Sequence, residues 1–158
     1  MRRAGRGSSA LAGMTLLELV VACAILMILS TAALPVARMT MKRQKETELR
    51  RDLREMRTAI DRYKDAADRN LFRVEVGTEG YPPDLETLVK GITIGAQGDR
   101  RLRFLRKIPV DPMTGRTDWG LRAVQDDPDS TSWGGKNVFD VFSRSTGTAL
   151  DGTRYADW

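Results

Sequence analysis

Apolar residues are concentrated in one stretch near the start of the chain. Between Met14 and Ala37 the only charged residue is Glu18, and residues 19–37 carry no charge. An α-helix rises about 1.5 Å per residue, so this stretch would span roughly 36 Å as a helix. The hydrocarbon core of a bilayer is about 30 Å thick. The pattern therefore predicts a transmembrane helix over 14–37.

The residues that follow are strongly charged and keep a helical repeat. Apolar side chains recur at intervals of four and three residues, the spacing of one stripe on an α-helix. The stripe consists of Leu49, Leu53, Met56, Ile60, Tyr63 and Ala67. No glycine interrupts residues 38–69, and no proline follows Pro35 within that run. We therefore expect one helix that continues to about Asp68, with 38–69 as its exported amphipathic half.

From about Asn70 the pattern breaks up, and this region holds five of the six prolines. Pro83 and Asp84 at the start of a short apolar repeat, and Gly91 after it, predict a short helix. Strand candidates follow at 119–124 and 137–143. We expect 70–158 to form a globular domain in which the short helix and a small antiparallel sheet lie on the apolar stripe. The predicted fold class is α+β.

Composition limits the chemistry available to the chain. Its 158 residues include no histidine and one cysteine, Cys23. Without histidine the usual general base, the commonest zinc ligand and the Ser-His and Cys-His pairs are missing. One cysteine forms neither an internal disulfide nor a thiolate metal cage. The acids Asp126, Asp127 and Asp129 lie in a polar segment without such a base, so we expect no enzymatic activity.

The basic residues are unevenly distributed. There are 26 Lys and Arg against 21 Asp and Glu, a net charge of +5, and three of the positive charges are Arg2, Arg3 and Arg6. By the positive-inside rule these arginines keep the N-terminus cytoplasmic. The small excess on the remaining chain, together with few aromatic residues, argues against nucleic acid as a partner. Four cations after the apolar stretch are expected to contact anionic lipid head groups. They are Arg38, Lys42, Arg43 and Lys45.

The basic leader meets the apolar stretch at Gly13-Met14-Thr15-Leu16-Leu17-Glu18. This junction resembles the processing site of the type IV prepilin family, in which a basic leader ends in glycine and an apolar residue, threonine, two apolar residues and glutamate follow. Met14 replaces the phenylalanine that most members carry. The resemblance implies that a prepilin peptidase removes residues 1–13 by cutting after Gly13, and that the new N-terminus at Met14 is methylated. It also implies a pilin-like fold.

Two further residues match the family by position. Glu18 becomes the fifth residue of the processed chain and Pro35 the twenty-second, where the family places a glutamate and a helix-bending proline. A carboxylate in the apolar edge of a membrane helix costs about 2.5–3.5 kcal/mol, so a partner is expected. The freed amine of Met14 in a neighbouring subunit would be that partner during assembly. Alternatively, Glu18 lies at the interface and reaches water. Pro35 either loosens the helix for packing in the filament or only bends it.

Other segments are similar to the major pseudopilins of type II secretion systems. They are Tyr63-Lys64-Asp65, Tyr81-Pro82, Ile108-Pro109-Val110-Asp111-Pro112 and Phe139-Asp140-Val141-Phe142-Ser143. Type IVa major pilins usually close a C-terminal loop with a disulfide, which a chain with only Cys23 cannot form. The resemblance implies a subunit of a periplasmic pseudopilus that polymerises with itself and with minor pseudopilins. Its other partners would be an inner-membrane platform protein and an assembly ATPase.

The resembled pseudopilins bind calcium in a loop near the C-terminus. The corresponding loop is 143–157, where Asp151 and Asp157 are the candidate ligands and Thr146 stands where an acid is expected. Calcium takes about six to eight oxygen ligands, largely carboxylate, so backbone carbonyls and hydroxyls would complete the site. Alternatively, Asp151-Gly152 is only a β-turn and Asp157 only a surface acid.

Other interpretations of the whole chain stay open. It could be a subunit of a type IV pilus or competence pseudopilus, or a monomeric membrane-anchored periplasmic binding protein. The N-terminal region could be an uncleaved signal anchor, or an ordinary signal peptide cleaved near Ala33 or Ala37. The charge of Glu18 and an apolar run longer than the usual length of about 7–15 residues count against the signal peptide.

Overall fold

The computed structural model describes residues 15–94 and 100–158. Its elements are helix α1 (Leu16–Asp68), helix α2 (Leu85–Lys90), strands β1 (Ile92–Ile94), β2 (Arg100–Leu102), β3 (Gly120–Arg122) and β4 (Asp140–Phe142), and a 3₁₀ turn (Tyr155–Asp157). A long, apolar N-terminal helix is thus followed by small antiparallel sheets that pack on it. The predicted α+β, pilin-like architecture is confirmed.

The chain divides into two compact units, one up to Thr40 and one over Met41–Trp158. In the first unit, helix α1 starts after Thr15, whose Oγ1 accepts a hydrogen bond of 3.2 Å from the Glu18 backbone N–H. A Thr followed three residues later by Glu is the sequence of a capping box, and an acid in the first turn also interacts favourably with the helix dipole. Residues 15–18 thus carry the sequence that favours the start of a helix at this point.

Every residue over 15–31 is exposed in this unit, including its leucines, valines and isoleucines. By length and composition, the apolar part of α1 could cross a membrane. The hydroxyls of Ser30, Thr31 and Thr40 donate to carbonyl oxygens three or four residues earlier, at 2.7–3.0 Å. These hydroxyls are therefore satisfied within the helix itself.

The core of the second unit is built on the apolar stripe of α1. All six residues of the predicted stripe are buried: Leu49, Leu53, Met56, Ile60, Tyr63 and Ala67. All of these except Ala67 pack in one cluster with residues from the rest of the unit, among them Leu88, Trp119 and Val141. Full burial of such a side chain contributes about 1.5–3 kcal/mol relative to exposure, so the stripe holds the helix to the sheets.

Helix α2 begins and ends where its sequence predicts. The Asp84 carboxylate accepts a hydrogen bond of 2.6 Å from the Thr87 backbone N–H, which is an N-cap. At the other end Gly91 adopts φ +76° and donates its N–H to the Thr87 carbonyl. A Cβ at Gly91 would lie 2.5 Å from the Leu102 carbonyl oxygen, so this position requires glycine.

The strands form two separate antiparallel pairs rather than the one sheet predicted. Strand β1 pairs with β2 through Ile92↔Leu102, and β3 pairs with β4 through Gly120↔Phe142. The pair β1–β2 has no counterpart in the sequence-based prediction. The predicted strands 119–124 and 137–143 shorten to three residues each.

Side chains end the β3–β4 ladder early. Beyond Arg122, the backbone N–H groups of Ala123 and Val124 donate to the carboxylate of Asp126 and the amide oxygen of Asn137, at 2.7 and 3.0 Å. Side-chain acceptors thus take the place of strand partners at both residues.

Candidate functional site

The predicted processing site, Gly13 and Met14, lies outside the described residues. Its proposed assembly partner Glu18 is in the first turn of α1 and exposed. The cap formed with Thr15 engages the backbone N–H of Glu18 and not its carboxylate. The pairing of Glu18 with a neighbouring amine stays a prediction.

Pro35 lies inside α1, which continues through it. A proline within a helix lacks the N–H that would bond to the carbonyl four residues earlier, here that of Thr31. The Thr31 hydroxyl donates its hydrogen bond to the Ile28 carbonyl in the preceding turn and not to the carbonyl of Thr31 itself. Both interpretations of Pro35, a bend and a loosening of the helix, stay predictions.

The C-terminal loop contains a tight turn at Asp151. Gly152 has φ +87° and donates its N–H to the Ala149 carbonyl at 3.1 Å, and Thr148 pairs with Arg154 across the turn. One carboxylate oxygen of Asp151 accepts from both the hydroxyl and the backbone N–H of Thr153, at 2.6 and 2.9 Å. Both bonds hold the pKa of Asp151 below its usual value, and the bond from the Thr153 hydroxyl has the larger effect.

Each candidate calcium ligand also has an arginine partner. Arg50 of α1 lies 3.5 Å from Asp151, and Arg154 makes two hydrogen bonds to Asp157 at 2.9 and 3.0 Å. Within 15–94 and 100–158, no group of three His, Cys, Asp or Glu side chains is placed to hold a metal ion. The turn at Asp151-Gly152 matches the alternative interpretation of this loop, and calcium binding stays a prediction.

Three residues of α1 fasten the C-terminal segment to the helix. The buried Glu46 carboxylate accepts hydrogen bonds from the Tyr155 hydroxyl at 3.0 Å and the Leu150 N–H at 2.8 Å. The Arg50 guanidinium lies 4.1 Å from the centre of the Trp158 ring. Arg57 donates to the Trp158 carbonyl at 2.8 Å. The segment that contains the candidate calcium loop is therefore held against α1 by side chains of the protein itself.

Arg57 also joins α1 to strand β4. Its Nε donates to Asp140 at 2.7 Å, and Arg122 of β3 approaches the other oxygen of the same carboxylate at 3.4 Å. Asp140 therefore bridges the helix and the β3–β4 pair.

The structure brings together two of the segments that resemble pseudopilins. Asp111, fully buried in the Pro-x-Asp-Pro turn, accepts a hydrogen bond of 2.6 Å from the Ser143 hydroxyl, directly after β4. Its other oxygen accepts from the Met113 N–H at 2.8 Å. Sequence reasoning marked both segments but missed this contact, as it missed Glu46 and Arg57.

Comparisons with protein-family models, with curated proteins and with solved structures return no match to this chain. The resemblance to pseudopilins therefore rests on the residues named above.

Proposed function

We propose that this chain is a structural subunit of the periplasmic pseudopilus of a type II secretion system. A prepilin peptidase would cut after Gly13 and methylate Met14. The processed protein would cross the bacterial inner membrane once, with its N-terminus in the cytoplasm and residues 38–158 in the periplasm. It would then polymerise with itself and with minor pseudopilins, driven by the platform protein and the assembly ATPase.

The observation that carries this proposal is the contrast between the two parts of helix α1. Over 15–31 its apolar side chains are all exposed, whereas the buried apolar residues of the described chain begin at Leu49. An exposed apolar surface of this extent requires a covering. Lipid covers it in a single-pass membrane protein, and equivalent helices of other copies cover it in a filament. One helix thus fits both states that a pseudopilin passes through.

Glu18 supports assembly over simple anchoring. A helix that only anchors a protein gains nothing from a carboxylate at its apolar edge, where the charge is costly. A subunit with a cationic N-terminus offers the matching charge to its neighbour. The single cysteine, Cys23 in the apolar stretch, leaves no C-terminal disulfide and favours a pseudopilin over a type IVa pilus subunit.

The mature N-terminus tests the proposal most directly. The full chain is co-expressed with a prepilin peptidase, recovered from membranes and measured by mass spectrometry. We expect a chain that begins with methylated Met14, and an unprocessed chain for Gly13→Leu. A start after Ala33 or Ala37 would indicate a signal peptide, and retention of Met1 an uncleaved anchor. Either result would refute the proposal.

Polymerisation is the second requirement. With the secretion machinery co-expressed, the processed chain should appear in filaments that are sheared from cells and visible by electron microscopy. A processed chain that stays monomeric in the membrane would instead indicate a membrane-anchored binding protein.

A further inference from the structure

A cleft rich in arginine lies between helix α1 and the segment after β2. Its volume is about 430 Å³, and it is lined by Arg51, Arg54 and Arg62 of the helix together with Phe104, Leu105 and Arg106. Arg103 lines an adjoining cleft that shares the last three residues. These residues are called the arginine cleft below.

Helix geometry and two backbone bonds build the arginine cleft. Arg51, Arg54 and Arg62 lie on one face of α1, because residues three, eight and eleven positions apart fall on the same side of a helix. The opposite wall is held in place by the N–H groups of Phe104 and Leu105, which donate to the Leu88 carbonyl at 3.1 and 3.0 Å. The Phe104 ring packs edge-on against Tyr63, 5.3 Å between centroids. The arginines therefore project from a rigid support.

The positive charge of the arginine cleft is largely uncompensated. Across the described ranges, no carboxylate lies within 4.0 Å of Arg54, Arg62, Arg103 or Arg106. Arg51 approaches Asp52 at 3.4 Å, and Glu55 is the acid that lines the cleft. Residues 100–107 carry five cations and no acid. Like charges held this close favour binding of an anion.

The spacing of the arginines indicates an extended ligand with several carboxylates. Arg62 follows Arg51 by eleven positions, so the two residues lie about 16 Å apart along the helix axis. A single anionic group cannot reach both of them. Guanidinium groups form paired hydrogen bonds with carboxylates. The chemistry of the cleft therefore fits an acidic stretch of polypeptide.

The chain presents such a stretch itself, in residues 126–129, called the acidic loop below. Asp126 accepts hydrogen bonds from the N–H groups of Ala123 and Gly134, at 2.7 and 3.0 Å, which fix the start of the loop. Asp127 and Asp129 are exposed. The Ser130 N–H donates to the Asp127 carbonyl at 2.9 Å, so these residues form a tight turn that presents both carboxylates to solvent.

We propose that the arginine cleft of one copy of this chain receives the acidic loop of a second copy. A contact between two different, complementary patches is a heterologous interface, and repeated copies of such an interface form an open helical filament where the rotation between subunits does not close a ring. This inference rests on the proposed function, because it supplies a contact between subunits outside the apolar helix.

Charge exchange tests the contact in the full chain with its secretion machinery. The variant R54E/R62E reverses the cleft, and D127K/D129K reverses the loop. Each should lower filament yield about tenfold or more, because like charges then face each other across the contact. A chain with all four substitutions restores opposite charges and should return to within about twofold of the wild-type yield. R73E/K136E reverses two exposed cations elsewhere and should assemble normally. The contact is wrong if the reversed cleft assembles like this control, or if the fourfold variant assembles no better than its parents.

Cross-linking provides a test that does not depend on filament yield. In a C23S background, Arg54→Cys in one copy and Asp129→Cys in a differently tagged copy are treated in membranes with a short bismaleimide. A mixed dimer should form, and none should form when Lys136→Cys replaces Asp129→Cys. Wild-type filaments without this cross-link would refute the contact and leave the proposed function standing. A cross-link from a chain that makes no filaments would support the contact and count against the proposed function.

Discussion

Tyr155 and Glu46 form a buried hydrogen-bonded pair between the C-terminal segment and helix α1. The pKa of Tyr155 is raised from its usual value of 10.0 to about 12. Burial is the largest cause, and the hydrogen bond to the Glu46 carboxylate is the second. The neutral phenol is therefore the form that the folded chain stabilises. In the unfolded chain the same phenol ionises near its usual value.

This pair makes stability depend on alkaline pH. Because the pKa of Tyr155 is higher in the folded chain, its contribution is fully present below about pH 10 and is lost as the pH rises towards 12. Tyr155→Phe should remove this pH dependence and destabilise the fold by about 1.5–3 kcal/mol at neutral pH, the usual contribution of a hydrogen bond to a charged group. Thermal unfolding of the detergent-solubilised chain from pH 7 upwards, with Tyr81→Phe as control, measures both effects. If the stability of Tyr155→Phe fell with rising pH as steeply as that of the wild type, the pH dependence would not be due to Tyr155.

The proposed role of Glu18 in assembly depends on its charge, whereas the cap of α1 uses only its backbone N–H. Glu18→Ala removes the carboxylate side chain, whereas Glu18→Gln removes the charge and keeps the length and polarity of the side chain. We expect both variants to enter the membrane and to be cleaved after Gly13, and neither to form filaments. The measurements are the mass of the N-terminal peptide and the amount of sheared filament. Normal filaments from Glu18→Gln would contradict a role for the charge in assembly.

At this scale, sequence reasoning marks residues by their position along the chain. Glu18 and Pro35 are predicted from their distance to Gly13, and their roles stay predictions. Asp111 was identified only as part of a motif, because its partner Ser143 is 32 residues away. Glu46 lies 109 residues from Tyr155, and a single sequence gives no signal for such a pair.

At the scale of elements, the helices were predictable and the strands less so. The stripe from Leu49 to Ala67 repeats over several turns, so its periodicity identified both the helix and its buried face. Strands of three residues span barely one full alternation of the pleat, and β1 and β2 have no distinctive pattern. Their pairing depends on contacts outside the strands, such as the close approach of Gly91 to the carbonyl of Leu102.

Gly120 permits the packing of β3 on β4. A Cβ at this position would lie 2.3 Å from ring atoms of Phe142, its partner across the pair. Gly120→Ala should therefore displace the ring and destabilise the second unit by about 1–3 kcal/mol, the range for overpacking a core. Gly147→Ala is the matched control, since its Cβ would meet the Tyr155 ring at 3.2 Å and requires only a small shift. Urea unfolding of the two variants would compare them, and equal stabilities would contradict this account.

For the whole molecule, the division into two units has an experimental consequence. The buried apolar residues of the described chain all belong to Met41–Trp158, so this unit contains a core of its own. A fragment of residues 41–158 should be soluble without detergent and unfold in one cooperative transition. The full chain should stay with membranes after alkaline extraction. A fragment that precipitates, or that melts without a transition, would show that its fold depends on the N-terminal region.

At this scale, the proposed contact between copies is what the sequence did not predict. Length and composition do predict a helix that could cross a membrane, because lipid imposes a length and a polarity on any helix that crosses it. The arginine cleft was not identified, since Arg62 and Arg106 are 44 residues apart in the sequence. Only folding places them on the two walls of one cleft.

The hydroxyls of α1 give this helix a further property. Ser30 and Thr31 bond to carbonyls of their own helix, so they need no partner from lipid or from another protein. Movement from the bilayer into a bundle of equivalent helices would then exchange one apolar medium for another and leave these hydrogen bonds intact. Under the proposed function, Glu18 and the amine that it would meet are charges whose environment would change during that transfer. Their pairing, rather than the hydrogen bonds of these hydroxyls, would then decide whether a subunit leaves the bilayer.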